Sequence, residues 1–102
     1  MSNTHRPFDL KRLPAWSADG DLHVIVEAPR GSTVKMAWDA ELGVFDARRA
    51  LPLGVTYPYD WGFVPGTLAE DGDPLDAIVL HDASTYPGVL LRCRALGMIM
   101  LE

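Results

Sequence analysis

Glu70-Asp71-Gly72-Asp73-Pro74-Leu75-Asp76 is the segment from which the fold and function of this chain are best approached. It places three aspartates within six residues, and no lysine or arginine occurs between Arg49 and Arg92. Two carboxylates about 4 Å apart repel by roughly 1 kcal/mol in water, and by several times more near a protein surface. Such crowding favours a countercharge, and Mg²⁺ or Ca²⁺ suits several hard oxygen ligands on a short segment.

The residue types in this segment also predict its backbone. Pro74 restricts Asp73 to extended angles, and Gly72 allows the sharp turn that brings Asp71 alongside. From Leu75 onwards the sequence Leu-Asp-Ala-Ile-Val-Leu is typical of a buried strand. We therefore expect two aspartates on a turn and Asp76 pointing inward from the start of a strand.

Two other interpretations of the acidic segment are weaker. An EF-hand loop would need a glycine where Asp76 stands and a glutamate where Asp82 stands, and it would have to accommodate Pro74. A solvated acidic turn would suffice for an isolated D-x-D, but the apolar residues that follow Asp76 favour a metal site.

Length and composition narrow the class of protein. The 102 residues are enough for one small domain, which we expect at 22–102 after an N-terminal arm at 1–21. A net charge of −5 argues against a nucleic-acid surface, and the lack of a long apolar run argues against a membrane segment. A single cysteine, Cys93, cannot form an internal disulfide, which favours a reducing cytoplasm.

Short apolar runs separated by glycine and proline predict a mainly β fold, either a barrel or a sandwich. Residues 22–28 and 33–38 alternate as strands, and we expect them to form a hairpin with Glu27 near Lys35. A third short strand is predicted at 42–45, a loop with a few extended residues at 57–66 and a long extended run at 89–101.

The polar faces of these elements carry a chemically coherent set of side chains. Carboxylates suit divalent cations, whereas Lys35, Arg49 and the phenol of Tyr57 suit anionic oxygens. Together they are typical of a site that processes phosphate compounds.

With these residues, the sequence resembles the family I soluble inorganic pyrophosphatases. Residues 71–76 match the family signature D-x-D-P-x-D, residues 57–68 match the segment before it, and Val26-Glu27-Ala28-Pro29 with Lys35 matches the opening strands. The resemblance extends from Leu22 to the end of the chain. It implies an OB-like five-stranded barrel, here without the C-terminal part and helix of the family. It also implies Mg²⁺-dependent hydrolysis of pyrophosphate, with Mn²⁺ as an alternative ion, by a homo-oligomer.

The resemblance also implies residue roles. Asp71 and Asp76 would be metal ligands, with Glu27 in the outer shell of the metal, and Asp73 would orient or deprotonate the attacking water. Lys35, Arg49 and Tyr57 would hold phosphoryl oxygens. Trp61 occupies a substrate-facing position.

Three departures from the family pattern weigh on activity. Ala37 stands where a second glutamate is expected, and Trp61 stands where the family has a tyrosine. Further aspartates, a lysine and a Tyr-Lys pair would lie beyond residue 102. We therefore expect this chain to hydrolyse pyrophosphate weakly or not at all. The principal alternative is a non-catalytic paralogue that binds Mg²⁺ and phosphate compounds. An oligonucleotide-binding OB module is disfavoured by the acid-rich site.

Overall fold

The computed structural model describes residues 8–97, and this part of the chain is mainly β, as predicted. Its one helical element is a 3₁₀ turn, Leu10–Arg12, which precedes six strands: β1 (Leu22–Ala28), β2 (Val34–Asp39), β3 (Val44–Ala50), β4 (Asp60–Val64), β5 (Leu75–Val79) and β6 (Leu90–Cys93). None of the helical structure in this range is long or apolar enough to cross a membrane.

β1 lies inside a four-stranded antiparallel sheet of order β5-β4-β1-β6, whereas β2 and β3 form a separate two-stranded sheet. The bounds predicted for β1 are confirmed, but the predicted hairpin between β1 and the next strand is wrong. The hydrogen-bonding edges of β1 are taken by β4 and β6, which are distant in sequence, and β2 pairs with β3 instead. Lys35 accordingly lies opposite Arg49.

The loop with a few extended residues predicted at 57–66 is more regular than expected, because Asp60–Val64 is a well-buried interior strand. Gly62 shows why a glycine occurs in this strand. A Cβ at that position would lie 2.1 Å from the backbone oxygen of Ile25 and 2.9 Å from its carbonyl carbon. The close approach of β4 to β1 therefore requires a residue without a side chain.

The strand that follows the acidic segment differs from its prediction. β5 begins at Leu75 as expected, but it is an edge strand, and Leu75 and Ile78 are exposed by 41% and 50%. An edge strand packs against one neighbour only, so an apolar sequence does not guarantee burial there. The predicted strand at 42–45 extends to Ala50, and the predicted run at 89–101 is a strand only over Leu90–Cys93, with 98–102 outside the described residues.

The core is centred on Ile25, Trp38 and Phe63, which join β1, β2 and β4. The rings of Trp38 and Phe45 pack with their centroids 5.0 Å apart, so the two-stranded sheet contributes to the same core. Leu10 and Leu13 pack against this cluster from the N-terminal arm. The arm is also tied to the sheet by the hydrogen bond from the His23 N–H to the Ala15 carbonyl, at 2.8 Å.

Asp60, at the start of β4, fastens two loops to the sheet although it is only 2% exposed. Its carboxylate accepts hydrogen bonds from the Arg30 N–H at 2.7 Å, from His81 Nε2 at 2.5 Å and from the Thr85 hydroxyl at 2.7 Å. The Arg30 guanidinium in turn donates to the carbonyls of His81 and Asp82. Burial favours the neutral acid, but these hydrogen bonds outweigh it and lower the pKa of Asp60.

Candidate active site

The acidic segment forms an ordered turn between β4 and β5. The Asp73 N–H donates to Asp71 Oδ1 at 3.0 Å, and the Asp73 carbonyl accepts from the Ala69 N–H at 2.7 Å. Gly72 adopts a φ of 87°, a left-handed conformation that glycine adopts without strain. Asp71 and Asp73 thus lie on a turn and Asp76 on β5, which agrees with the backbone predicted from the sequence. The expected inward orientation of Asp76 is not that of a buried residue, because Asp76 is exposed on this edge strand.

Thr67 joins this turn to the strands on both sides of it. Its hydroxyl donates to the Val64 carbonyl at 2.6 Å and accepts from the Leu75 N–H at 3.0 Å. One side chain therefore connects the last residue of β4 to the first residue of β5. This connection fixes the start of β5, where Asp76 lies opposite Phe63 in the register of β4 and β5.

Glu27 lies near the end of β1 and reaches across to the second sheet. Its Oε2 accepts a hydrogen bond from the Trp38 N–H at 2.9 Å. Burial raises the pKa of Glu27, and the negative charge of Asp76 raises it further. The Trp38 hydrogen bond and the positive charges of Lys11 and Arg48 oppose the increase without cancelling it.

Asp76 carries the same sign of perturbation. Desolvation raises its pKa, the charges of Asp71 and Asp73 add to that rise, and Lys35 opposes it. Raised pKa values at both Glu27 and Asp76 mean that the negative charge here is only partly compensated. Such a site favours a ligand that brings positive charge.

A cleft of about 280 Å³ opens between these acids. Side chains from the arm, both sheets and the acidic turn line it: Lys11, Glu27, Ala37, Trp38, Arg48, Phe63, Asp73, Pro74 and Asp76. Three acids and two bases therefore face one concave surface. This volume is at the lower end of the range for small-molecule sites.

The cleft brings together some of the residues singled out from the sequence. Glu27, Asp73 and Asp76 line it, and Asp71 and Lys35 are close enough to shift the pKa of Asp76.

The other three predicted site residues are placed differently. Arg49, Tyr57 and Trp61 are not among the side chains that line the cleft. Tyr57 makes backbone hydrogen bonds to Gly31 and Ser32, and Trp61 lies in β4 between Ala28 and Ile78.

Two basic residues of the cleft were missed in the sequence. Arg48 forms an ion pair with Asp46 at 3.3 Å, and it also faces the cleft. A register shift between Lys35 and Met36 leaves Arg48 as the unpaired residue of β3. Regular alternation does not reveal such a bulge. The other missed residue, Lys11, is brought in from the arm by tertiary contacts.

The donor chemistry fits a divalent cation, since carboxylate oxygens are the ligands that Mg²⁺ prefers. Within residues 8–97, however, no three acidic, histidine or cysteine side chains converge closely enough to form a ready-made metal centre. Asp76 is the acid that the others share as a neighbour, since the charges of Asp71 and Asp73 raise its pKa and its own charge raises the pKa of Glu27.

The fold and the cleft define a mainly β protein with an acid-rich, partly basic binding site, and comparison with known proteins specifies it further. Residues 24–102 match the inorganic pyrophosphatase family. The chain is 45% identical over 91 residues to an inorganic pyrophosphatase of Synechocystis sp., covering 89% of this chain and 54% of that protein. It is 44% identical over 95 residues to that of Thermus thermophilus, covering 92% and 54%.

Solved structures agree. The crystal structure of the Thermus thermophilus enzyme superposes with a TM-score of 0.75 at 45% identity, covering 81% of this chain and 48% of that one. An inorganic pyrophosphatase from Coxiella burnetii gives 0.74 at 47% identity, covering 82% and 51%. This chain belongs to the inorganic pyrophosphatase family. It spans about half the length of the curated relatives it matches.

Proposed function

We propose that this chain carries the metal- and substrate-binding half of a Mg²⁺-dependent site that hydrolyses inorganic pyrophosphate to two phosphates. Mn²⁺ is an alternative ion. The observation that carries the proposal is the cleft in which Glu27, Asp73 and Asp76 face Lys11 and Arg48. Acids for a divalent cation and bases for an anion are the pair of features that phosphoryl transfer requires.

In this proposal Asp71 and Asp76 hold the divalent cation, with Glu27 in its outer shell. The cation, when bound, supplies charge neutralisation and lowers the pKa of the attacking water. Asp73 accepts the proton of that water as its oxygen attacks phosphorus and the bridging oxygen departs with the bonding electron pair. By the resemblance to the family, Lys35, Arg49 and Tyr57 would bind phosphoryl oxygens and Trp61 would face the substrate, although none of the four lines the cleft.

We expect weak or no turnover from the 102-residue chain itself. The acids couple in pairs within residues 8–97 and form no group of three that would hold a metal, which supports an under-ligated site. Ala37 lines the cleft with only a methyl group where a carboxylate would add a ligand.

Phosphate release from pyrophosphate with Mg²⁺ tests the catalytic proposal. Any turnover should fall by at least about 100-fold in Asp73→Asn, the loss expected for a general base. Asp82→Asn, an exposed aspartate in the loop after β5, is the matched control and should keep the wild-type rate. Full-rate turnover by this chain would refute the expectation of weak activity, and equal effects of the two substitutions would refute the role of Asp73.

The second candidate is a non-catalytic protein that binds Mg²⁺ and phosphate compounds, and it is favoured by Ala37 in the cleft wall. Calorimetry with Mg²⁺ and pyrophosphate separates the two candidates. Binding without phosphate release would support the second, and absence of both binding and release from the folded chain would refute both.

We also propose that the chain acts in the cytoplasm as a homo-oligomer. Cys93 is the single cysteine of the chain and its thiol is free, which suits a reducing compartment. Exposed apolar side chains on β5, Leu75 and Ile78, supply a surface for association. Sedimentation velocity should show species larger than 11.2 kDa, and a monomer at all concentrations would contradict the oligomer.

A further inference from the structure

Lys11 precedes residues 24–102, the range assigned above to the inorganic pyrophosphatase family, and it lines the cleft from the N-terminal arm. It belongs to the 3₁₀ turn Leu10–Arg12 of the N-terminal arm. Arg12, its neighbour in the same turn, is exposed and does not line the cleft. The two adjacent bases therefore have different surroundings.

The backbone of Lys11 is held from two directions. Its N–H donates to Asp9 Oδ1 at 3.0 Å, and the same oxygen accepts from Trp38 Nε1 at 2.9 Å. On the other side, the Lys11 carbonyl accepts from the Gly66 N–H at 2.8 Å. The arm is thereby attached both to β2 and to the loop that follows β4, so the position of Lys11 over the cleft is set by tertiary hydrogen bonds.

The side chain of Lys11 shares the cleft with Arg48, and both exert a positive field on Glu27. In residues 8–97 the ammonium of Lys11 makes no ion pair within 4 Å, so it is not already paired with a carboxylate of this part of the chain. Ala37 of β2 lines the same cleft with only a methyl group, so it fills little of the space that these bases face. Two bases beside an open space form a natural site for anionic oxygens.

We propose that Lys11 and Arg48 form an anion-binding wall of the cleft and bind phosphoryl oxygens of the substrate. The inference rests on the proposed function, because it takes a diphosphate as the ligand. The ammonium of Lys11 supplies a compact charge with three donors, and the guanidinium of Arg48 supplies a planar fork. The N-terminal arm is then part of the binding site.

Binding of a diphosphate that is not hydrolysed tests this wall without relying on turnover. Calorimetry of the full chain with methylene diphosphonate and Mg²⁺ would compare the wild type with Lys11→Met, which keeps the apolar stem but removes the charge. We expect the affinity to fall by about tenfold, as for one lost charge-assisted hydrogen bond. Lys11→Arg should restore most of it, and the salt dependence of binding should weaken in Lys11→Met.

Arg12→Met is the matched control, since it removes a charge from the same turn outside the cleft. The affinity of Arg12→Met for methylene diphosphonate should stay within about twofold of the wild type, because Arg12 is exposed outside the cleft, where salt screens its charge. Thermal unfolding of each variant checks that the arm remains docked. Equal affinities of the wild type and Lys11→Met, with wild-type binding measurable, would overturn this inference alone. A folded wild type that binds no diphosphonate would overturn the proposed function and this inference with it.

Discussion

Replacement of Asp60 by alanine is expected to destabilise the protein by about 3–5 kcal/mol, the usual cost of removing one partner from a buried charged network. Asp60 is 2% exposed and its carboxylate accepts three hydrogen bonds, from the Arg30 N–H, His81 and the Thr85 hydroxyl. No other side chain in the described residues is shown to join three separate positions of the chain in this way. Its loss should therefore loosen both the loop at Arg30 and the loop after β5.

The magnitude follows from the donors that alanine would leave behind. Each buried polar group without a partner costs about 1–3 kcal/mol, so three such donors would total about 3–9 kcal/mol, which extends beyond the range given above. His81 is 24% exposed at its side chain, so water replaces part of its lost bond. Asp60→Asn keeps Oδ1 for the Arg30 N–H but replaces Oδ2, which accepts from both His81 and Thr85. Two hydrogen bonds are then lost or rearranged, so the substitution should cost about 1–3 kcal/mol. For a chain of this size, a total stability of about 5–15 kcal/mol is typical, so Asp60→Ala would be near its limit.

The same site makes stability depend on pH in a predictable direction. The folded-state pKa of Asp60 is lowered from its ordinary value of 3.8, because the hydrogen bonds to the carboxylate outweigh the effect of burial. A lowered folded-state pKa means that the stabilisation is fully present above the unfolded-state pKa and is lost as pH falls through the folded-state pKa. Asp60→Asn cannot titrate, so its stability relative to wild type should improve below about pH 4.

Urea unfolding followed by tryptophan fluorescence at pH 7 and pH 3 measures both effects. Asp46→Asn serves as the control, because Asp46 forms a half-exposed ion pair with Arg48 and should contribute less than about 1 kcal/mol. A loss of stability in Asp60→Ala no greater than that of Asp46→Asn would refute the stabilising role of the hydrogen bonds that Asp60 accepts. An unchanged difference between wild type and Asp60→Asn at the two pH values would refute the assignment of the acid sensitivity to Asp60.

Two further substitutions test the sheet contact and the cleft. Gly62→Ala should destabilise the protein by about 3 kcal/mol or more in denaturant titrations, because its Cβ would meet the Ile25 backbone at 2.1 Å. Gly97→Ala is the control, since a Cβ there meets nothing within 4 Å, and it should change the stability by less than about 0.5 kcal/mol. Glu27→Gln should raise the melting temperature at pH 7, because burial and Asp76 raise the folded-state pKa of Glu27 and so disfavour its charged form. That gain should shrink as pH falls and Glu27 becomes protonated, and a lower melting temperature at pH 7 would contradict the argument.

Local patterns predicted the parts of the fold that depend on local forces. The alternation in 22–28 gave the bounds of β1, and the turn chemistry of Gly72 and Pro74 gave the acidic turn. Pairing was mispredicted because β1 uses both edges for strands far along the chain, which no local period encodes. The interior position of β4 was missed because the segment 57–66 is dense in aromatics, proline and glycine, which favour a loop. In the structure Gly62 instead permits a close backbone contact.

The site residues also fall into those placed by local sequence and those placed by tertiary contacts. Asp71, Asp73 and Asp76 come from one short segment, so their proximity could be predicted from spacing alone. Arg48 faces the cleft where a bulge interrupts the alternation of β3, and Lys11 comes from an arm whose docking depends on contacts 29 positions apart. Residues of this second kind are set by tertiary structure, and only the folded chain reveals them.

Trp38 explains how these distant residues come to share one cleft. Its backbone N–H holds Glu27, its indole N–H holds Asp9, and Asp9 also accepts from the Lys11 N–H. Its ring packs against Ile25 and Phe63 in the core. The packing of this ring therefore also sets the positions of Glu27 and Lys11 relative to each other. Substitutions at Trp38 would therefore alter packing and cleft charge together. For this reason the variants at Lys11 and Glu27, which leave the ring in place, separate the two effects.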